Sequence, residues 1–176
     1  GCRPHVIPDS NVKLKILAAA AVLVLAVAGV LVATPRPATP DVAFTTLQGQ
    51  SFRTADLRGQ VVLVNFWATS CGVCIEEMPA LKATQDKFEA RGYRTVAVAM
   101  DYDPPSRVGA FVGLNPLPFT FVLDRDGSIA RGFDDVRLTP TSFILNKRGE
   151  IVHKILGEPD FDNLHALIDK LLAEPA

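Results

Sequence analysis

The sequence predicts an α/β domain, and three observations point there. A β-branched, apolar run, Val61–Phe66, is followed by a long helical pattern from Ile75 to Arg91 and then by a second strand-like run, Arg94–Met100. A strand–helix–strand order of this kind pairs its strands in parallel, with a right-handed crossover. Near the C-terminus, Ser142–Leu156 reads as a hairpin and is followed by a helix starting near Pro159-Asp160, with Phe161, Leu164, Ile168 and Leu171 on one face. At the first strand-to-helix junction stand two cysteines, Cys71 and Cys74, in a C-x-x-C spacing.

Composition narrows the possibilities. Hydrophobic residues make up 48% and charged residues 21%, which suits a folded domain. The net charge of −1, with no basic stripe carrying interleaved aromatics, argues against nucleic acid as a partner. Three cysteines are too few for a disulfide scaffold, and Cys2 is left over from the close pair.

Four segments follow along the chain. Residues 1–15 are polar and turn-rich, with Arg3, Lys13 and Lys15. From Ile16 to Ala33 no charged or strongly polar side chain occurs. As a helix this run would cover roughly 27 Å, close to a bilayer's hydrocarbon core. Positive charge before it, with only Arg36 close behind, predicts a single-pass anchor with a cytoplasmic N-terminus and an exported domain. Cys2 would then lie across the membrane from the pair. The rival reading is a cleaved signal peptide ending at Ala26-Val27-Ala28, which exports the domain equally. Residues 34–40 alternate proline with other residues and predict an extended spacer. Residues 41–176 form the domain. It opens with two short strands around the Gln48-Gly49-Gln50 turn, within Val42–Leu47 and Ser51–Arg53.

Within the domain, Cys74, Met78, Leu81 and Phe88 fall on one face of the long helix, so Cys74 is expected on the core side and Cys71 at the tip. Pro79 predicts a kink, and Gly92 an end. Between Asp101 and Leu138 the pattern reads as an insertion with a short helix near Ser106–Val112, and Asp101 and Asp103 read as turn residues. Pro118–Ile129 weakly echoes Pro140–Ile151; each reads as a strand entered from proline and closed by a glycine turn.

The chemistry rests on the cysteines. Side chains three apart on a first helical turn are neighbours, and the unpaired N–H groups there favour a thiolate. A lowered thiol pKa makes a cysteine nucleophilic. A zinc or copper carrier would need further ligands. The candidates, His153 and His165, are not closely paired, and His5 belongs to the N-terminal segment. A strand-to-helix C-x-x-C in an exported domain points to thiol–disulfide exchange, with no cofactor or metal required.

Taken together, Val64-Asn65-Phe66-Trp67-Ala68-Thr69 with Cys71 and Cys74, Glu77-Met78-Pro79, and Leu138-Thr139-Pro140-Thr141-Ser142-Phe143 resemble the membrane-anchored TlpA/ResA/CcmG-type oxidoreductases of the thioredoxin-fold family. The resemblance covers about Val42 to Leu172. It implies a thioredoxin-like fold: a central mixed sheet flanked by helices, with an N-terminal strand pair and an insertion. It also implies a redox disulfide between Cys71 and Cys74, with Cys71 attacking and Cys74 resolving. Glu77, at the family's acidic position, becomes a proton acceptor for Cys74; the alternative is a carboxylate favoured by the helix dipole. Pro140 matches the family's cis-proline, whose backbone pairs with substrate, and Thr139 presents the adjacent groups. Trp67 is expected beside the cysteines, in the substrate-binding set. Ser70 departs from the usual tryptophan, and Gly72-Val73 lacks the frequent proline. The implied activity is reduction of disulfides in exported proteins, of the cytochrome c or copper-site maturation type, fed by a membrane thiol donor. The alternative within redox chemistry is an oxidase or a peroxide-consuming thiol enzyme; no P-x-x-x-[ST]-x-x-C surrounds Cys71.

Overall fold

A computed structural model describes residues 15–21 and 39–175. Residues 15–21 are helical and belong to an N-terminal unit, Gly1–Pro35, separate from the unit Arg36–Ala176. Among the described residues no helix is long and apolar enough to cross a membrane. Most of the expected span (22–33), the segment 1–14, residues 34–38 of the spacer and Cys2 lie outside the described residues.

The domain is built on β3 (Val61–Trp67), which follows the short strands β1 (Ala43–Thr45) and β2 (Ser51–Arg53). All seven residues of β3 are buried, as expected of an apolar run, broken only by Asn65, in a central strand. It is flanked by β4 (Tyr93–Ala99), parallel to it, and β6 (Thr141–Leu145), antiparallel to it. With β5 (Thr120–Leu123) and β7 (Ile151–Leu156) the order is β5-β4-β3-β6-β7. The sheet is mixed, as expected.

The sheet's two faces bury different partners. Leu63 and its neighbours pack on α1 (Gly72–Phe88) through Leu81 and Phe88, and on α4 (Phe161–Ala173) through Leu164, Ile168 and Leu171. Trp67, Ala97 and Phe121 meet Val108 of α2 (Pro105–Leu114) on the same side. Val62, Val64 and Phe66 face the opposite cluster, which includes Phe44 of β1 and Ile129 and Ala130 of α3 (Ser128–Gly132). There Phe133 lies 5.6 Å from Phe66 and 5.3 Å from Phe143, ring centre to ring centre.

α1 begins three residues earlier than its apolar periodicity suggests and runs through Pro79 as one helix. A short 3-10 turn, Glu89–Arg91, and Gly92 at φ 96° close it, a conformation only glycine adopts without steric cost. The segment read as an insertion proves to be part of the sheet. β5 pairs in parallel with β4, and the β1–β2 hairpin leans on it through Thr46 opposite Val122. Because β5 reaches only Val96, the N–H of Thr95 has no strand partner on that side. The buried Gln85 side chain of α1 accepts it at 2.8 Å.

Candidate active site

The end of β3 delivers the cysteines. The Trp67 carbonyl accepts from Met100 N at 3.0 Å, and the chain then turns through Ala68–Ser70, with Cys71 N donating to Ala68 O at 3.0 Å. Asp103, buried in the loop after β4, holds this turn with both oxygens: Oδ2 accepts from Thr69 N at 2.6 Å and Oδ1 from Thr69 Oγ1 at 2.7 Å. Asp103 stands in a turn, as the sequence suggests, its N–H donating to Met100 O at 3.0 Å, and its carboxylate also clamps the loop that carries Cys71.

Cys71 is the N-cap of α1. Its Sγ accepts from Cys74 N at 3.3 Å, occupying one of the amides a helix start leaves unpaired. The two cysteines form a disulfide with a Cα–Cα distance of 5.2 Å. They differ in access: Cys71 is half-buried, whereas Cys74 is buried against Met78 and Trp67. An approaching thiolate can therefore reach only Cys71 Sγ, leaving Cys74 as the departing sulfur.

Glu77, one turn beyond Cys74, is fully buried. Its Oε1 accepts from Asn65 Nδ2 at 2.9 Å, while Oε2 has no partner among the described residues. Burial pushes its pKa up from 4.5 to about 7, against the Asn65 hydrogen bond, which favours the ionised form; the nearby Glu158 charge adds to the rise. As the sixth residue of α1 it stands beyond the first turn, where the helix-dipole alternative would place a carboxylate.

The Thr139-Pro140 bond is cis, and it is the cis bond among the described residues; Pro118, the echo, is trans. Phe66 pairs with Thr141, so Thr139 and Pro140 stand at the cysteine end of the sheet. The backbone expectation divides between them. The Pro140 carbonyl is taken by Gly157 N at 2.8 Å, and proline has no N–H. Thr139 has no backbone hydrogen bond among the described residues, so the free groups are its own. Its Oγ1 lies 3.4 Å from the hydroxyl of Tyr102.

Trp67 is corrected. Expected in the substrate-binding set, it is fully buried, its ring 5.2 Å from Phe111 and 5.8 Å from Phe121. Strand alternation aims it into the layer under α1 and α2, so it supports the cysteines from below and presents nothing to a partner. His165 lies between Phe88 and Phe161, its Nε2 2.9 Å from Thr84 Oγ1. Among the described residues no three His, Cys, Asp or Glu side chains gather as a metal would need.

The redoxin family pattern matches residues 34–168. The chain belongs to the redoxin family. Over 132 residues this redoxin is 33% identical to a thiol-disulfide oxidoreductase ResA of Bacillus cereus, with 75% of each chain covered. Among solved structures it is similar to a thiol:disulfide interchange protein of the thioredoxin family from Chlorobium tepidum TLS (TM-score 0.71, 25% identity, 80% of this chain and 99% of that one). It is similar also to StoA from Bacillus subtilis (TM-score 0.63, 27% identity, covering 74% and 98%). This redoxin is a thiol–disulfide oxidoreductase with Cys71 and Cys74 as its pair.

Sequence reading did not single out Asn65 or Ser142, and it gave Asp103 no part in the site. A signal existed for the first: Asn65 is the one polar side chain in Val61–Trp67 apart from the indole N–H, and a buried amide costs several kcal/mol unless it is hydrogen-bonded. Asp103 and Ser142 gave none, because their partners are remote in sequence.

Proposed function

We propose that this redoxin is a membrane-tethered reductant of disulfides in exported proteins, of the cytochrome c or copper-site maturation type, recharged by a membrane thiol donor. The observation that carries the reading is the unequal pair: one reachable sulfur at a helix tip and one buried sulfur, a helical turn before a buried carboxyl. In the reductive direction Cys71 thiolate attacks the substrate disulfide and one substrate thiolate leaves. Cys74 passes its proton to Glu77 and attacks Cys71 Sγ. The Cys71–Cys74 bond forms, and the second substrate sulfur departs with the electron pair. A protein partner suits the rim, where Val73, Tyr102 and Leu138 expose apolar surface and Thr139 offers unpaired backbone. The apolar run Ile16–Ala33 and the charge ahead of it support an inner-membrane, single-pass tether with the domain outside the cytoplasm.

The test is Cys74→Ser in intact cells. Without the resolving sulfur, mixed disulfides through Cys71 accumulate and identify the partners; recovery of exported, cysteine-containing proteins is expected. Insulin reduction by the purified protein should vanish in Cys71→Ser. Full activity in that variant, or trapping of cytoplasmic proteins alone, overturns the reading.

A further inference from the structure

The buried polar side chains beneath the cysteines form a chain across three elements. Asn65 on β3 stands opposite Ser142 on β6 in the strand register, and both are buried. Asn65 Nδ2 carries two hydrogens. One reaches Ser142 Oγ at 3.0 Å and the other Glu77 Oε1 at 2.9 Å. Both donors of the amide are thereby used, and its orientation is set from two sides.

That geometry distinguishes the two oxygens of Glu77. An oxygen receiving an N–H is held as an acceptor whichever protonation state the carboxyl is in. The other oxygen, Oε2, is buried and unpartnered. Helical side chains lean toward the helix N-terminus, over the residues three and four positions earlier. For Glu77 the residue three positions back is Cys74.

We infer that Asn65 and Ser142 are positioning residues for proton transfer: Ser142 fixes the Asn65 amide, Asn65 reserves Oε1 of Glu77 as acceptor, and the exchangeable proton is confined to Oε2, on the path from Cys74. This rests on Glu77 serving as the proton acceptor in the resolving step. There the Cys74 thiol proton moves to Oε2, the Cys74 sulfur attacks Cys71 Sγ, and the Cys71–substrate bond breaks with its electron pair leaving on the substrate sulfur. The groups acting on Glu77 are Asn65 from β3, with Ser142 behind it on β6, and the exposed Glu158 in the loop after β7; Cys74 precedes it by three residues on its own helix. The Asn65 hydrogen bond favours the carboxylate; the Glu158 charge opposes it.

The test uses the full chain carrying Cys2→Ser, so that the pair alone reacts, reduced and mixed with 5,5′-dithiobis(2-nitrobenzoate). Attack by Cys71 releases one coloured thiolate, and resolution by Cys74 releases the second, so stopped-flow absorbance separates the two steps. The second rate is followed against pH in the parent, Glu77→Gln, Asn65→Leu and Ser142→Ala. The expected result is loss of the pH-dependent acceleration of the second step in Glu77→Gln. In Asn65→Leu the pH midpoint of that step should move upward by about one unit, because a hydrogen bond to the ionised form is gone. Ser142→Ala should move it in the same direction by less, with the ratio of second to first rate falling severalfold. If Glu77→Gln loses the acceleration while both other variants keep the parent midpoint, the positioning role is overturned and the Glu77 role stands. If Glu77→Gln behaves as the parent, the proton-acceptor reading fails and the inference with it. Should Asn65→Leu not fold, Ser142→Ala decides. A merely structural role for the pair would slow both steps together at an unchanged midpoint, and that result also overturns the proposal.

Discussion

Replacing Glu77 with glutamine should stabilise this redoxin at alkaline pH. The carboxyl is fully buried, and its pKa is raised from 4.5 to about 7 chiefly by that burial. Below pH 4.5 it is neutral in both folded and unfolded chains, so it imposes no ionisation cost. Between pH 4.5 and 7 the unfolded chain releases the proton and the folded one holds it, so stability falls as pH rises. Above 7 the penalty is complete. At 1.36 kcal/mol for each unit of pKa, the interval amounts to about 3 kcal/mol. Glutamine carries no charge at any pH. Its carbonyl can accept from Asn65 Nδ2 as Oε1 does, while its NH2 replaces the unpartnered Oε2 at a cost of about 1 kcal/mol that does not vary with pH. The quantity to measure is therefore the stability difference between variant and parent in urea, both oxidised, at pH 4 and pH 8.5. The difference should move toward the variant by about 3 kcal/mol between the two conditions. A difference constant to within about 0.5 kcal/mol would falsify the account of Glu77 as a carboxyl whose ionisation the fold opposes.

Three further outcomes follow from contacts elsewhere. Phe133→Ala empties the aromatic cluster formed with Phe44, Phe66 and Phe143 and should cost about 3–5 kcal/mol, read from the urea midpoint with an unchanged slope. Gln85→Leu leaves the Thr95 N–H buried without its acceptor; a loss of about 1–3 kcal/mol is expected, with faster hydrogen exchange at that amide, and unchanged protection would count against the contact. Asp124, buried after β5, accepts from Ile129 N at 3.0 Å and Ala130 N at 2.8 Å, so Asp124→Ala should destabilise by about 2 kcal/mol and loosen α3 in hydrogen exchange, while Asp124→Asn should retain part of the effect.

The parts of this molecule legible in its sequence are those fixed by local chemistry. The β-branched, mostly apolar run Val61–Phe66 had to be a central strand, and the face through Cys74, Met78 and Leu81 had to be the buried side of a helix. The cis-proline was legible only through the motif around it, since the bond's geometry has no signature in Thr139 and Pro140 themselves. What could not be read depends on meetings between distant residues. Ser142 is an unremarked hydroxyl until antiparallel register sets it opposite Asn65, 77 positions away. Asp103 reads as one more turn aspartate until the chain end of β4 is laid beside Thr69. Trp67 misled for a related reason. Its motif placed it beside the cysteines in the substrate-binding set; it does pack beside them, but β-strand alternation turns it inward, away from any partner. β5 was recognisable as a strand, yet only its pairing with β4 reveals that the supposed insertion widens the sheet.

In the proposed mechanism the unequal exposure of the two sulfurs separates the work of choosing a partner from the work of handling the proton. In the proposed exchange the covalent link to a client passes through Cys71, at a rim shaped by Ser70, Val73, Tyr102 and Leu138. Cys74, Glu77, Asn65 and Ser142 lie sealed beneath and meet no partner. A redesign of the rim can thus redirect this redoxin toward a different client while leaving the interior untouched. On the same mechanism, a change in the interior resets timing and pH response for all clients alike.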